Sequence, residues 1–88
     1  MISDNDNYIT IGYAKKNVTS VILFGSSIQD ESVFNDIDIA VKGIKPSLFF
    51  KFHGELFKNL SKPVDLVDMS HKNLFTQLIK ENGIKIYG

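Results

Sequence analysis

The sequence predicts an α+β, α/β-layered fold: a mixed β-sheet of about four strands with helices packed on it. Three observations point there. Val21-Ile22-Leu23-Phe24 is a continuous apolar run of residues that favour strands. Asp36-Ile37-Asp38-Ile39-Ala40-Val41 alternates polar and apolar, so Asp36 and Asp38 point one way and Ile37, Ile39 and Val41 the other. Two later segments carry apolar residues at helical spacing, with an alternating Val64 to Met69 between them.

Taken in order, residues 1–7 are polar and are expected to be disordered. Asp4-Asn5-Asp6 then reads as a solvated end. Tyr8 to Lys16 reads as a short helix, with Ile9 and Tyr13 spaced i, i+4, although Gly12 weakens it by about 1 kcal/mol. Val21 to Phe24, apolar on both faces, reads as a strand covered on both sides. Gly25 ends it, since glycine allows positive φ and close approach to the backbone. Ser27 to Asn35 is polar apart from Ile28, Val33 and Phe34 and reads as a loop.

Lys42 to Pro46 is a turn, and Pro46 suits the first turn of a helix running to about Leu60. Phe49, Phe52, Leu56, Phe57 and Leu60 form its apolar stripe. His53 lies on the same side and reads as packed or hydrogen-bonded; Phe50 lies off the stripe, as a spare surface aromatic or part of a contact face. Val64 to Met69 is the third strand, with Val64 and Leu66 facing one way and Asp65 and Val67 the other. Asp68 reads as turn chemistry. Ser70 caps a last helix from about His71 to Glu81, with Leu74, Phe75, Leu78 and Ile79 as its stripe and Gly83 as its stop. Ile84 to Tyr87 reads as a short edge strand.

The chain has 88 residues and is read as one domain. Ten basic and ten acidic residues balance, so there is no broad electrostatic footprint for nucleic acid and no direct contact with it is expected. The absence of cysteine excludes disulfides and thiolate metal sites. No apolar run approaches a membrane span, so a soluble, cytoplasmic protein without membrane contact is expected.

The chemistry is in the acidic residues. Carboxylates at i and i+2 on a strand stand about 6–7 Å apart, and at an effective dielectric near 20 they repel by roughly 2–3 kcal/mol. Open solvent, a shared proton or an intervening cation relieves this. Oxygen ligands without a nearby histidine or cysteine set suit Mg²⁺ or Mn²⁺. Asp65 would stand about 5 Å from the pair if its strand lay beside theirs.

Gly25-Ser26, nine intervening residues and Asp36-x-Asp38 resemble the signature of the polymerase-β-like nucleotidyltransferases. The whole chain, over roughly residues 8–87, is similar to their smallest branch, the minimal nucleotidyltransferases (MNT). The ending, with Pro63-Val64-Asp65-Leu66-Val67-Asp68 and then Glu81-Asn82-Gly83-Ile84-Lys85-Ile86-Tyr87, fits that branch. The resemblance implies the nucleotidyltransferase fold and a metal site of Asp36, Asp38 and Asp65, with Asp65 also helping to activate an acceptor hydroxyl. It implies that Gly25 and Ser26 hold nucleotide phosphates through backbone N–H groups and the serine hydroxyl. It implies two-metal nucleotidyl transfer, with ATP as substrate.

The sequence departs from the family after Ser26. Where many relatives carry a basic residue, a second one two positions on and then a glycine, this chain has Ser27, Gln29 and Asp30. Lys42, just past the second strand, is a candidate compensating charge, and otherwise reads as a solvated strand-end lysine. MNT proteins are commonly paired with a helical HEPN-domain toxin, so the resemblance implies an antitoxin that moves AMP from ATP onto a tyrosine of that partner. A homodimer or hetero-oligomer is compatible with this. The alternative is a binding-only antitoxin or scaffold of the same fold. A standalone enzyme acting on a small molecule fits less well, because such enzymes usually carry extra domains.

Overall fold

The computed structural model describes residues 1–30 and 34–88. Three helices, α1 (Asp4–Asn17), α2 (Pro46–Asn59) and α3 (Leu74–Asn82), accompany strands β1 (Ser20–Leu23), β2 (Ile37–Lys42), β3 (Val64–Asp68) and β4 (Ile84–Tyr87). The four strands form one sheet in the order β3-β2-β1-β4. β1 runs antiparallel to β2 and β4, while β2 and β3 are parallel and joined through α2. The sheet is mixed and the fold α+β, as the pattern predicts.

All four residues of β1 are buried, which accounts for its unbroken apolar run. Val21 and Leu23 face one core with Ile37, Ile39 and Val41 of β2 and Val64 of β3. Helices α1 and α2 close that side through Ala14, Phe52 and Leu56, with Leu60 just past the end of α2. Ile22 faces the other side, where a smaller cluster gathers Ala40 and Ile79 with Phe24, Val67 and Met69 against it. The sheet therefore has α1 and α2 on one face and α3 on the other, with β4 at an edge.

The N-terminus overturns its expectation. Residues 4–7 are helical and not disordered, because α1 starts at Asp4. Ser3 Oγ caps it by accepting from Asp6 N at 3.1 Å. Asp6 is only 2% exposed. Its Oδ1 accepts from Ser61 N at 3.0 Å and its Oδ2 from Ser61 Oγ. The helix buries Asp6, Thr10 and Ala14, a stripe at i, i+4 and i+8 that is mostly polar and thus carries almost no hydrophobic periodicity.

The third helix also starts later than expected. Its cap is Asn73 and not Ser70: Asn73 Oδ1 accepts from Thr76 N, and Thr76 Oγ1 accepts from Asn73 N, each at 3.0 Å. Ser70 N instead donates to Asp68 Oδ1 at 2.9 Å, the turn role expected of Asp68. Within the expected stripes Phe57, Leu74, Phe75 and Leu78 are exposed, so each helix buries a narrower face than its sequence offers. His53 is hydrogen-bonded as expected, its Nε2 donating to Val64 O at 2.6 Å. Gly83 ends α3 with negative φ. Glycine is needed there for space, since a Cβ would stand 2.4 Å from Ile22 and 2.8 Å from Leu23 O. Among the described residues no helix is long and apolar enough to cross a membrane.

Removing the Asp6 carboxylate strands the Ser61 donors that it holds. Asp6→Ala should cost about 1–3 kcal/mol in urea unfolding, whereas Asp4→Ala, at an exposed position, should stay within about 1 kcal/mol.

Candidate active site

The candidate site is built by three neighbouring pieces of backbone: the turn after β1, the start of β2 and the start of β3. Pairing of β2 with β3 places Asp38 directly opposite Asp65. Residues opposite each other in register share a face, so both carboxylates stand on the α3 side of the sheet, with Ala40 and Val67. Ile37 N donates to Pro63 O at 2.8 Å and fixes the register at its first rung.

Gly25–Ile28 forms one 3₁₀ turn where the sequence reads only as turn and loop. Gly25 has φ +59°, and a Cβ there would lie 2.6 Å from Asp38 Oδ2. The glycine is thus required twice, for backbone conformation and for the closeness of the carboxylate. Ser26 N–H donates to the Asp38 carboxylate. Ser27 is fully buried, and its Oγ accepts from Asp38 N at 2.6 Å. Phe24 N donates to Asp38 O at 3.1 Å. The turn therefore grips Asp38 at both its backbone and its side chain.

Asp36 is placed differently from its expected role as a strand residue. β2 begins at Ile37, and Asp36 is exposed in the bend before it. Phe34, buried behind it, anchors this approach, with Lys62 Nζ 4.0 Å from its ring and 3.0 Å from its carbonyl oxygen. The part of the expected loop at residues 31–33 lies outside the described residues.

The electrostatics are those of crowded acids. Burial, then the charge of Asp65 and a hydrogen bond with it, then the charge of Asp36, hold the Asp38 carboxyl above the ordinary aspartate value. The Ser26 N–H pulls the other way. Among the described residues no three carboxylate, imidazole or thiol groups close into a ready metal cage. The preformed part is the Asp38–Asp65 pair, with Asp36 contributing charge. An all-oxygen donor set with excess negative charge fits a hard divalent cation, which would relieve the repulsion between the acids.

Ser27 was hidden from sequence reasoning, because a serine in a polar loop carries no periodic signal. The only hint was its position just after Gly25-Ser26. Lys42 is exposed on the same sheet face as Asp38 but four residues along β2, about 13 Å away, too far to neutralise it.

The family described as Polymerase beta, Nucleotidyltransferase matches residues 7–88. The chain belongs to this family. No curated protein matches it. Solved structures do, and their identities are low. A toxin–antitoxin with AMP-PNP is 27% identical with a TM-score of 0.73, covering 93% of this chain and 73% of that one. A tri-AMPylated Shewanella oneidensis HEPN toxin in complex with MNT antitoxin is 27% identical with a TM-score of 0.70, covering 96% and 70%. The toxin–antitoxin MntA–HepT is 22% identical with a TM-score of 0.74, covering 98% and 73%, and shows the fold alone. These likenesses place the nucleotidyltransferase fold over nearly the whole chain.

The raised carboxyl gives a signed expectation. The native state holds the Asp38 proton more tightly than the unfolded chain, whose value is near 3.8. The stability this supplies is complete below that value and is lost as pH rises through the higher native one. Asp38→Asn escapes the loss, so in chelator it should melt higher than the parent at neutral pH, and the gain should vanish on acidification. Gly25→Ala should destabilise by about 1–3 kcal/mol from backbone strain alone, read by urea unfolding.

Proposed function

We propose that this nucleotidyltransferase-family chain is an antitoxin that transfers AMP from ATP to a tyrosine hydroxyl of a partner HEPN toxin. The observation that carries the reading is the pairing of Asp38 with Asp65 beside the Gly25-Ser26 turn. Similarity to a toxin–antitoxin with AMP-PNP and to a complex of an AMPylated HEPN toxin with MNT antitoxin supports the nucleotide and the acceptor.

In this reading Asp38 and Asp65 hold divalent metal and Asp36 completes the set. When bound, the metal supplies charge neutralisation for the acceptor oxygen and the departing pyrophosphate. The chain's own groups do the rest. Gly25 lets the Asp38 carboxylate lie against the turn, and Ser26 offers its hydroxyl to a phosphate. The acceptor oxygen bonds to the α-phosphorus, the bond from that phosphorus to the bridging oxygen breaks, and pyrophosphate leaves. Asp65 takes up the hydroxyl proton. The Ser27–Asp38 hydrogen bond keeps β2 fixed against the turn throughout.

The second reading is an antitoxin that inhibits by occupying the toxin. Ser27, Gln29 and Asp30 favour it, since they leave no positive charge in the turn to meet a triphosphate.

Incubation with labelled ATP, Mg²⁺ and the HEPN partner separates the two. Label should reach the partner, and Asp36→Asn should lower transfer by more than the ~10–100-fold that loss of an outer-shell partner costs. Full neutralisation by the Asp36→Asn/Asp38→Asn double variant would establish the binding-only reading instead.

A further inference from the structure

Beyond the aspartates, the same face of the sheet carries a second feature. A groove of about 1040 Å³ runs between α3 and the β1–β4 side of the sheet. Lys42, Lys72, Lys80 and Lys85 stand around it, and Ile22 and Met69 are among its apolar lining. The lysines come from β2, the turn before α3, α3 itself and β4. The N-terminal turn of α3 opens on the same groove and adds its positive end. Among the described residues the one acid in the lining, Glu81, accepts from Gln77 Nε2 at 3.1 Å. Among the described residues none of the four ammonium groups has a salt bridge or hydrogen bond.

This distribution matters because the chain is neutral overall. Four of its ten basic residues surround one groove that, among the described residues, has a single acid in its lining. The groove includes none of Gly25, Ser26, Asp36, Asp38 or Asp65. Its nearest lysine along β2, Lys42, begins about 13 Å from Asp38 on the same face. A triphosphate held at the Gly25 turn therefore does not account for it.

We propose that the groove docks an acidic, aliphatic-containing segment of the acceptor protein and so presents the acceptor hydroxyl to the aspartate site. This rests on the reading that the acceptor is a protein. The unpaired lysines call for carboxylates, and Ile22, Met69 and Leu74 offer apolar contacts for aliphatic side chains between them. A single-stranded nucleic acid would also satisfy the charges, but among the described residues no aromatic ring lines the groove for a base to stack on. The contacts are exposed charges, so binding is salt-sensitive.

The test uses the full chain and a short fluorescein-labelled peptide alternating glutamate and leucine, read by fluorescence anisotropy. Saturable binding is expected, weakening with salt. Lys72→Glu/Lys80→Glu/Lys85→Glu should weaken it by about tenfold or more and the matching triple Lys→Gln variant by less. On the unaltered chain, bound peptide should shield Lys72, Lys80 and Lys85 from an amine-acetylating reagent while Lys51 and Lys58 of α2 go on reacting. No saturable binding, absence of shielding, or unchanged binding by either folded variant overturns the proposal. So does a single-stranded oligonucleotide that binds as tightly and displaces the peptide, or displacement by ATP. The two readings fail separately. Peptide binding without label transfer removes the enzyme and leaves the groove; label transfer to the HEPN partner unchanged in the lysine variants removes the groove and leaves the enzyme.

Discussion

The parallel pairing of β2 with β3 is the constraint on which the rest of the molecule depends. It sets Asp38 against Asp65, and side chains alternate faces along a strand. A slip of one residue would turn Asp65 toward α2 and bring Leu66 up to Asp38. Several features guard the register. The Ile37 N–Pro63 O bond ties the two strand starts, and Val64, buried opposite Ile37, has its carbonyl held by His53. Phe52 and Leu56 of α2 fill the space beneath the crossover. Packing on one face of the sheet therefore determines the chemistry on the other.

Bringing two acids together costs free energy, and the fold accepts that cost locally. The turn after β1 is shaped to the carboxylate: Gly25 is bare where Asp38 Oδ2 approaches, Ser26 donates to the side chain and Ser27 accepts from the backbone. These contacts secure the position of Asp38 without cancelling its charge. The apolar cluster of Ile22, Ala40 and Ile79 lies further along the same face and closes only part of it, which leaves the acids open to a cation or a phosphate. A site so arranged is stable enough to hold its shape and crowded enough to favour an ion.

Much of this was legible in the sequence. The two-sided burial of β1, the alternation of β2 and β3 and the stripe of α2 are direct consequences of strand and helix periodicity; that β3 lies beside β2, which brings Asp65 to Asp38, was a condition that periodicity left open. The parts that were not legible are those where polar groups do structural work. In α1 the buried positions are Asp6, Thr10 and Ala14, so the Ile9–Tyr13 spacing marks only the later part of the helix and its first residues look solvated. The start of α3 is ambiguous in sequence because Ser70, Asn73 and Thr76 are all capable caps, and the reciprocal Asn73–Thr76 bonds decide between them only in three dimensions. Asp36 looked equivalent to Asp38, yet the strand starts one residue later. Ser27, a small hydroxyl in a polar run, carried no signal of burial at all.

Asp6 reaches across 55 residues to the turn between α2 and β3. That turn delivers Pro63, whose carbonyl seats the first rung of β2. The opening helix is thus a brace on the hinge that aims the third aspartate, although it contributes nothing to the chemistry itself. Damage to the brace would be felt as misalignment at the far end, so loss of function from a lesion at the start of the chain need not signal a lost contact with nucleotide or partner.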